Sequence, residues 1–167
     1  AIRCNLFMNI KLNLCIFSFL YFLSFPEYIL AGENSRNANQ NRVIKLVKKA
    51  ENYVKNNGKE KAILKFRKKS SRIFAINFNG TVLASPIHPE TVGTNQFNFK
   101  DQTGVFAVRE EIEKARVGGG WLKGRFRKNP KTDKYACRKL YIHPMPGNYF
   151  IGSWYYYPAT KKGNCDF

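Results

Sequence analysis

The sequence predicts an α+β domain built on an antiparallel sheet, and three observations predict it. Apolar residues recur at helical spacing up to residue 66 and again near residue 110. The period changes to two from residue 73. Clusters of Gly, Pro and Asn then separate short strand-like runs to the end of the chain. At 167 residues the chain holds one ordinary domain. Hydrophobic residues make up 44% and aromatic residues 15%, enough for a core, which excludes a disordered basic tail despite a formal charge of +18.

The first predicted element is a long amphipathic helix. After the polar stretch 34–41, Val43, Ile44, Leu46, Val47, Ala50, Tyr53 and Val54 mark one face, Arg42, Lys45, Lys48, Lys49 and Lys55 the other, and Asn56-Asn57-Gly58 ends it. A shorter helix over 59–66 places Ile63, Leu64 and Phe66 inward. Phe74, Ile76 and Phe78 then alternate along a strand. Asn79-Gly80 predicts a hairpin turn with positive φ at both positions, leading into a strand over 81–84. Beyond the loop Ser85-Pro86-Ile87-His88-Pro89, the spacing of Val105, Val108, Ile112 and Ala115 predicts a third helix, stopped by Gly118-Gly119-Gly120. Three strands close the chain over 121–127, 134–142 and 149–157, separated by Asn129-Pro130 and Pro144-Met145-Pro146-Gly147.

Residues 1–31 read as a secretory signal. Lys11 precedes the apolar run 12–25, then come Pro26 and the small pair Ala31-Gly32, and Met8 is the natural start of such a leader. The alternative is an uncleaved membrane anchor over 12–30. Export places the chain in the periplasm or outside the cell, or at the membrane if the leader is retained. It leaves Cys137 and Cys165 as a lone pair, which in an oxidising compartment is more often a disulfide than a metal site. No Cys-x-x-Cys or His-rich cluster supports a metal, and no cofactor motif is present.

The blocks 53–62 (Tyr-Val-Lys-Asn-Asn-Gly-Lys-Glu-Lys-Ala), 78–90 (Phe-Asn-Gly-Thr-Val-Leu-Ala-Ser-Pro-Ile-His-Pro-Glu) and 92–95 (Val-Gly-Thr-Asn) resemble a single Cache domain of the second type. Gly-Gly-Gly-Trp (118–121) and Tyr-Phe-Ile-Gly-Ser (149–153) continue the resemblance in order. It implies an extracytoplasmic, PAS-like sensor fold over 32–157, with a long N-terminal helix on an antiparallel sheet of about five strands. It implies a small-molecule ligand, often a short carboxylate, in a pocket above the sheet. Similar domains are commonly fused to a second membrane span and a cytoplasmic output domain. Here residues 158–167 form only a tail, so a signal is expected to pass to a separate membrane partner.

Six residues are candidate ligand contacts. Arg125 follows the Gly-Gly-Gly-Trp block, at a position where similar domains carry Arg after an aromatic, here replaced by Gly124. Its planar fork suits a carboxylate. Strand parity puts Trp121, Lys123 and Arg127 on its face. Arg138 and Tyr141 match the Lys-x-x-Tyr of similar domains, but on a regular strand they point to opposite faces unless a bulge intervenes. His88 lies in the Ile-His-Pro turn, where a ring hydrogen-bonded to loop backbone competes with a ligand role. Trp154 stands where similar domains favour a small residue on the last strand, and either floors a shallow pocket or fills it.

Function divides into two readings. The first is an exported sensor of a small, carboxylate-like anion without its own output domain. The second is a basic adaptor that binds an anionic envelope surface or polymer and has no pocket. Enzyme chemistry lacks a constellation: no Gly-x-Ser-x-Gly, His-Glu-x-x-His or phosphate loop occurs, and Glu110, Glu111 and Glu113 read as a solvated helix face. The charge falls in two blocks, thirteen basic against two acidic residues over 36–72 and nine against one over 116–139. Such blocks with interleaved aromatics fit nucleic acid. The leader argues against that partner and for an anionic membrane surface.

Overall fold

A computed structural model describes residues 26–101, 104–160 and 164–165. The chain divides into two compact units, residues 1–39 and residues 40–167. Of the leader expected over 1–31, residues 1–25 lie outside the described residues. The described part of the first unit is helical.

Helix α1 runs Pro26–Asn57, starting well before the apolar periodicity does. Pro26 suits a first helical turn, where its missing N–H has no partner to lose. No proline follows within the helix, so it extends through the polar stretch 34–41. Helix α2 occupies Lys59–Phe66 and buries Ala62, Ile63 and Phe66. Leu64, expected inward, is exposed.

Strands β1 (Phe74–Asn77) and β2 (Val82–Ala84) form the predicted hairpin. Its turn departs from the expected type: only Gly80 has positive φ, 93°, and the Gly80 N–H donates to the Asn77 carbonyl. This is a three-residue loop with glycine in the bulge position, which spares Asn79 a left-handed backbone. The left-handed pair occurs instead at Gly147-Asn148, between the last two strands.

After a 3-10 turn (Pro89–Thr91) and helix α3 (Ala107–Arg116) come β3 (Gly120–Trp121), β4 (Arg125–Lys128), β5 (Tyr135–Met145) and β6 (Tyr149–Tyr157). The sheet is antiparallel in the order β2-β1-β6-β5-β3, with β4 also paired to β5 beyond β3. Counted together, β3 and β4 are one interrupted edge strand, and the sheet has the expected five-strand plan.

Two apolar layers cover the sheet. On one face Val47, Ala50, Ile63 and Phe66 of the helices pack against Ala75, Met145, Tyr149 and Ile151. On the other face Ile112 and Ala115 of α3 pack against Phe74, Ile142, Phe150 and Trp154. The segment 94–97 closes this second face by crossing the β1–β2 turn. Gln96 N–H donates to the Gly80 carbonyl, and a methyl on Gly80 would lie 2.6 Å from Phe97 Cβ. Phe97 is thereby delivered to the second layer.

Candidate functional site

The site is built on the sheet face under α3. Alternation on β5 directs Arg138, Leu140 and Ile142 to that face, and alternation on β6 does the same for Trp154 and Tyr156. Arg125 is the cross-strand partner of Arg138, and Arg127 follows two residues later on the same side. Three guanidinium groups therefore share one end of the face.

Carboxylates from two other elements meet them. Asp101, in the loop before α3, accepts the Val105 N–H at 3.1 Å and pairs with Arg127, and its Oδ2 stands 3.6 Å from Arg125. Glu110 on α3 pairs with Arg125 Nη2. Arg109 clamps the loop to the helix: its Nε donates to the Phe97 carbonyl at 3.0 Å, and its guanidinium lies 3.9 Å from the Phe106 ring centroid.

Glu111 is buried in the apolar stripe of α3. Burial pushes its carboxyl up to about 7, against the pull of Arg138, Arg125 and Arg127. Burial also lowers the proton affinity of Arg138, helped by Arg127 and opposed by Tyr156 and Glu111. Among the described residues, the buried Nε atoms of Arg138 and Arg127 have no hydrogen-bond partner. An uncompensated donor of this kind is costly unless an acceptor is supplied.

The six expected contacts do not all converge here. Arg125, Arg138 and Trp154 share the α3 face, where Trp154 packs on Phe74 at 6.3 Å and is buried within the apolar layer. Tyr141 points to the opposite face, as plain alternation requires, since the β5–β6 pairing is regular through it. Trp121 also lies on that opposite face, 5.1 Å from the Tyr141 ring and 5.6 Å from Tyr155, which corrects the parity expected from a continuous strand. Trp121 pairs with Tyr141 and Arg125 with Arg138, so four residues on one side span three on the other. The extra residue reverses the facing. Gly124 sits in this break because a methyl there would stand 1.8 Å from Tyr157 Oη. His88 is in the loop, its side chain 60% exposed and its Nδ1 3.1 Å from Glu90 Oε1. Cys137 and Cys165 are joined in a disulfide.

Asp101 is not among the residues the sequence singles out, and the expected solvated face of Glu110, Glu111 and Glu113 is corrected at Glu111, which is buried, and at Glu110, which pairs with Arg125. Glu111 was detectable: it lies three residues after Val108 and four before Ala115, within the buried stripe and not on the solvated face. Asp101 had no comparable signal, because its role depends on a loop returning to β4.

Comparison with known proteins agrees with this architecture. A Cache domain family model matches residues 39–163. A methyl-accepting chemotaxis protein from Vibrio parahaemolyticus superposes with a TM-score of 0.64 at 19% identity, over 78% of this chain and 96% of that one. A Cache chemosensory domain described in terms of carboxylic acid recognition gives 0.61 at 15% identity, over 74% and 97%. A periplasmic sensor domain of a chemotaxis protein gives 0.55 at 16%, over 76% and 96%. No curated protein matches. Among the described residues, no helix is long and apolar enough to cross a membrane.

Proposed function

Since the chain belongs to the Cache domain family, we propose that it is an exported sensor domain that binds a small carboxylate over Arg125 and Arg138 and presents the bound state to a membrane partner. The observation that carries this reading is the buried Arg138, whose Nε lacks an acceptor beside two further guanidinium groups on one sheet face. A planar fork short of an acceptor favours a carboxylate oxygen over a neutral group, because charge-assisted hydrogen bonds are about twice as strong as neutral ones. The similar Cache domain described for carboxylic acid recognition supports the same ligand class. Trp154 and Phe74 pack together on the same sheet face as Arg138.

Calorimetry of the full chain with acetate, pyruvate and succinate at constant ionic strength tests the proposal. At least one acid is expected to bind and raise the melting temperature, and Arg138→Gln to weaken that binding roughly tenfold or more. Absence of heat and of any thermal shift at about a hundredfold above a micromolar Kd would count decisively against a carboxylate sensor.

The basic face favours a second reading. Arg42, Lys45, Lys48 and Lys49 of α1, Lys61 of α2 and Lys68 after it are all exposed. An adaptor that uses this face is expected to sediment with phosphatidylglycerol vesicles at low salt and to be released as ionic strength approaches about 0.15 M, where the screening length is about 8 Å. Equal sedimentation with neutral vesicles would exclude it.

A further inference from the structure

We propose that the outer edge of β4 is a docking site for an extended acidic segment of a partner protein, which adds to the sheet as a further strand. The register fixes which backbone groups are available. Asn129 N–H donates to the Lys134 carbonyl at 2.8 Å, and the same ladder pairs Arg127 with Ala136 and Arg125 with Arg138. Hydrogen-bonded pairs alternate along an antiparallel ladder, so Arg125 and Arg127 commit their backbone groups to β5 while Phe126 and Lys128 direct theirs outward. Among the described residues, β4 pairs only with β5, and no backbone bond reaches Phe126 or Lys128 from the outer side. An N–H and a carbonyl at each of two residues, two positions apart, match another peptide backbone. A phosphodiester backbone brings acceptors alone.

The side chains add an apolar platform. Phe126 and Lys128 lie on the face away from α3, opposite Cys137 and Tyr135. There the Phe126 ring stacks on Tyr135, with centroids 5.4 Å and planes 22° apart, yet the two residues stay 41% and 59% exposed. Such a pair at a sheet edge has room for one more apolar side chain, and exposed aromatics of this kind are enriched at protein interfaces.

Charge selects the occupant. Residues 122–135 carry six basic residues and one acid, Asp133. Arg125 and Arg127 are held by Glu110 and Asp101, and Asp133 engages Lys128. Lys123, Lys128, Lys131 and Lys134 are all exposed. Lysines on an edge guard it against a second copy of the same strand, because like charges would meet. They do not guard it against acid. The fitting strand therefore places an aromatic residue opposite Phe126 and an acid opposite Lys128, two positions apart on one face. Strand addition requires no ligand at Arg125, so its test is separate from that of the carboxylate reading.

Calorimetry of the full chain with the peptide acetyl-Asp-Thr-Phe-Thr-Glu-Thr-Asp-amide tests the docking. The peptide is expected to bind wild type at low ionic strength and to weaken severalfold toward about 0.15 M, where the screening length is about 8 Å. Phe126→Ala is expected to weaken it roughly tenfold. Lys128→Pro removes the outward N–H at a position where an edge strand admits proline, and is expected to weaken binding more than Lys128→Gln, which removes only the charge. The same peptide N-methylated at its Phe and Glu keeps the charge but loses the donors that face β4, and is expected not to bind wild type. Equal binding of the N-methylated peptide would overturn strand addition whatever the variants do, and binding unchanged by Phe126→Ala would overturn the platform. Equal binding of a peptide with lysine in place of its acids would overturn the acidic partner. Displacement of the peptide by phosphatidylglycerol vesicles would assign the edge to lipid, and a dimer in sedimentation that Phe126→Ala dissolves would assign it to a second copy. Absence of heat with every peptide would remove the docking site.

Discussion

Raising the pH from 5 to 8 is expected to lower the unfolding free energy by about 2 kcal/mol through Glu111 alone. Its carboxyl is pushed up to about 7 in the folded domain, above the ordinary glutamate value of 4.5, because burial penalises the charge more than the three neighbouring arginines favour it. Between those values the native state holds a proton that the unfolded chain has released. The contribution is therefore complete below pH 4.5 and disappears as pH rises through about 7, opposite to the behaviour of a carboxylate held down by an ion pair. Glu51 and Glu90 are of that latter kind, lowered by Lys55 and by a backbone hydrogen bond respectively, so their loss falls below pH 4.5 and outside this window.

Glu111→Gln isolates the effect. Denaturant midpoints at pH 5 and pH 8 are expected to converge in the variant, with the gain at pH 8, because an amide takes the place of the protonated acid without the cost of ionisation. Midpoints that move in parallel in both proteins would show that Glu111 titrates like an exposed acid and that the cluster is wetter than its burial implies. The same proton matters to Arg138, because ionised Glu111 favours the charge on that guanidinium.

The elements that carry strong periodicity were legible from sequence. Helix α2 and strand β6 fall on the expected residues, and the Pro- and Gly-bearing turns separate the strands as expected. The misplaced facing of Trp121 and the hidden partners of Arg125 come from contact between residues distant in the chain, and the early start of α1 from a local cause. The break between β3 and β4 depends on Tyr157 meeting Gly124, thirty-three residues earlier, and it is that break which sends Trp121 and Arg125 to opposite faces. The start of α1 depends on cooperative helix propagation through polar residues that carry no amphipathic signal. At the site, Arg125 and Arg138 stand out because they match positions where similar Cache domains carry a cation. Their acidic partners stay hidden because glutamate on a helix looks solvated until the stripe is followed residue by residue.

Replacing both Cys137 and Cys165 with serine is expected to cost about 3 to 4 kcal/mol and to lower the melting temperature by roughly ten degrees or more. The bond closes a separation of 28 residues, and the loop entropy returned to the unfolded chain grows with that length. A second effect follows from where the bond sits. Cys137 is the residue before Arg138, and Cys165 accepts a hydrogen bond from Tyr157 Oη at its carbonyl, 2.9 Å away. That same hydroxyl occupies the space over Gly124. The disulfide thus holds the tail against the break that turns Arg125 toward α3. Loosening it is expected to weaken carboxylate binding as well as stability, and to do so at temperatures far below unfolding. A double serine variant that melts early but binds acid with unchanged affinity would show that the break is held by the sheet alone. A variant that melts within about two degrees of wild type would show that the tail constrains the unfolded chain little.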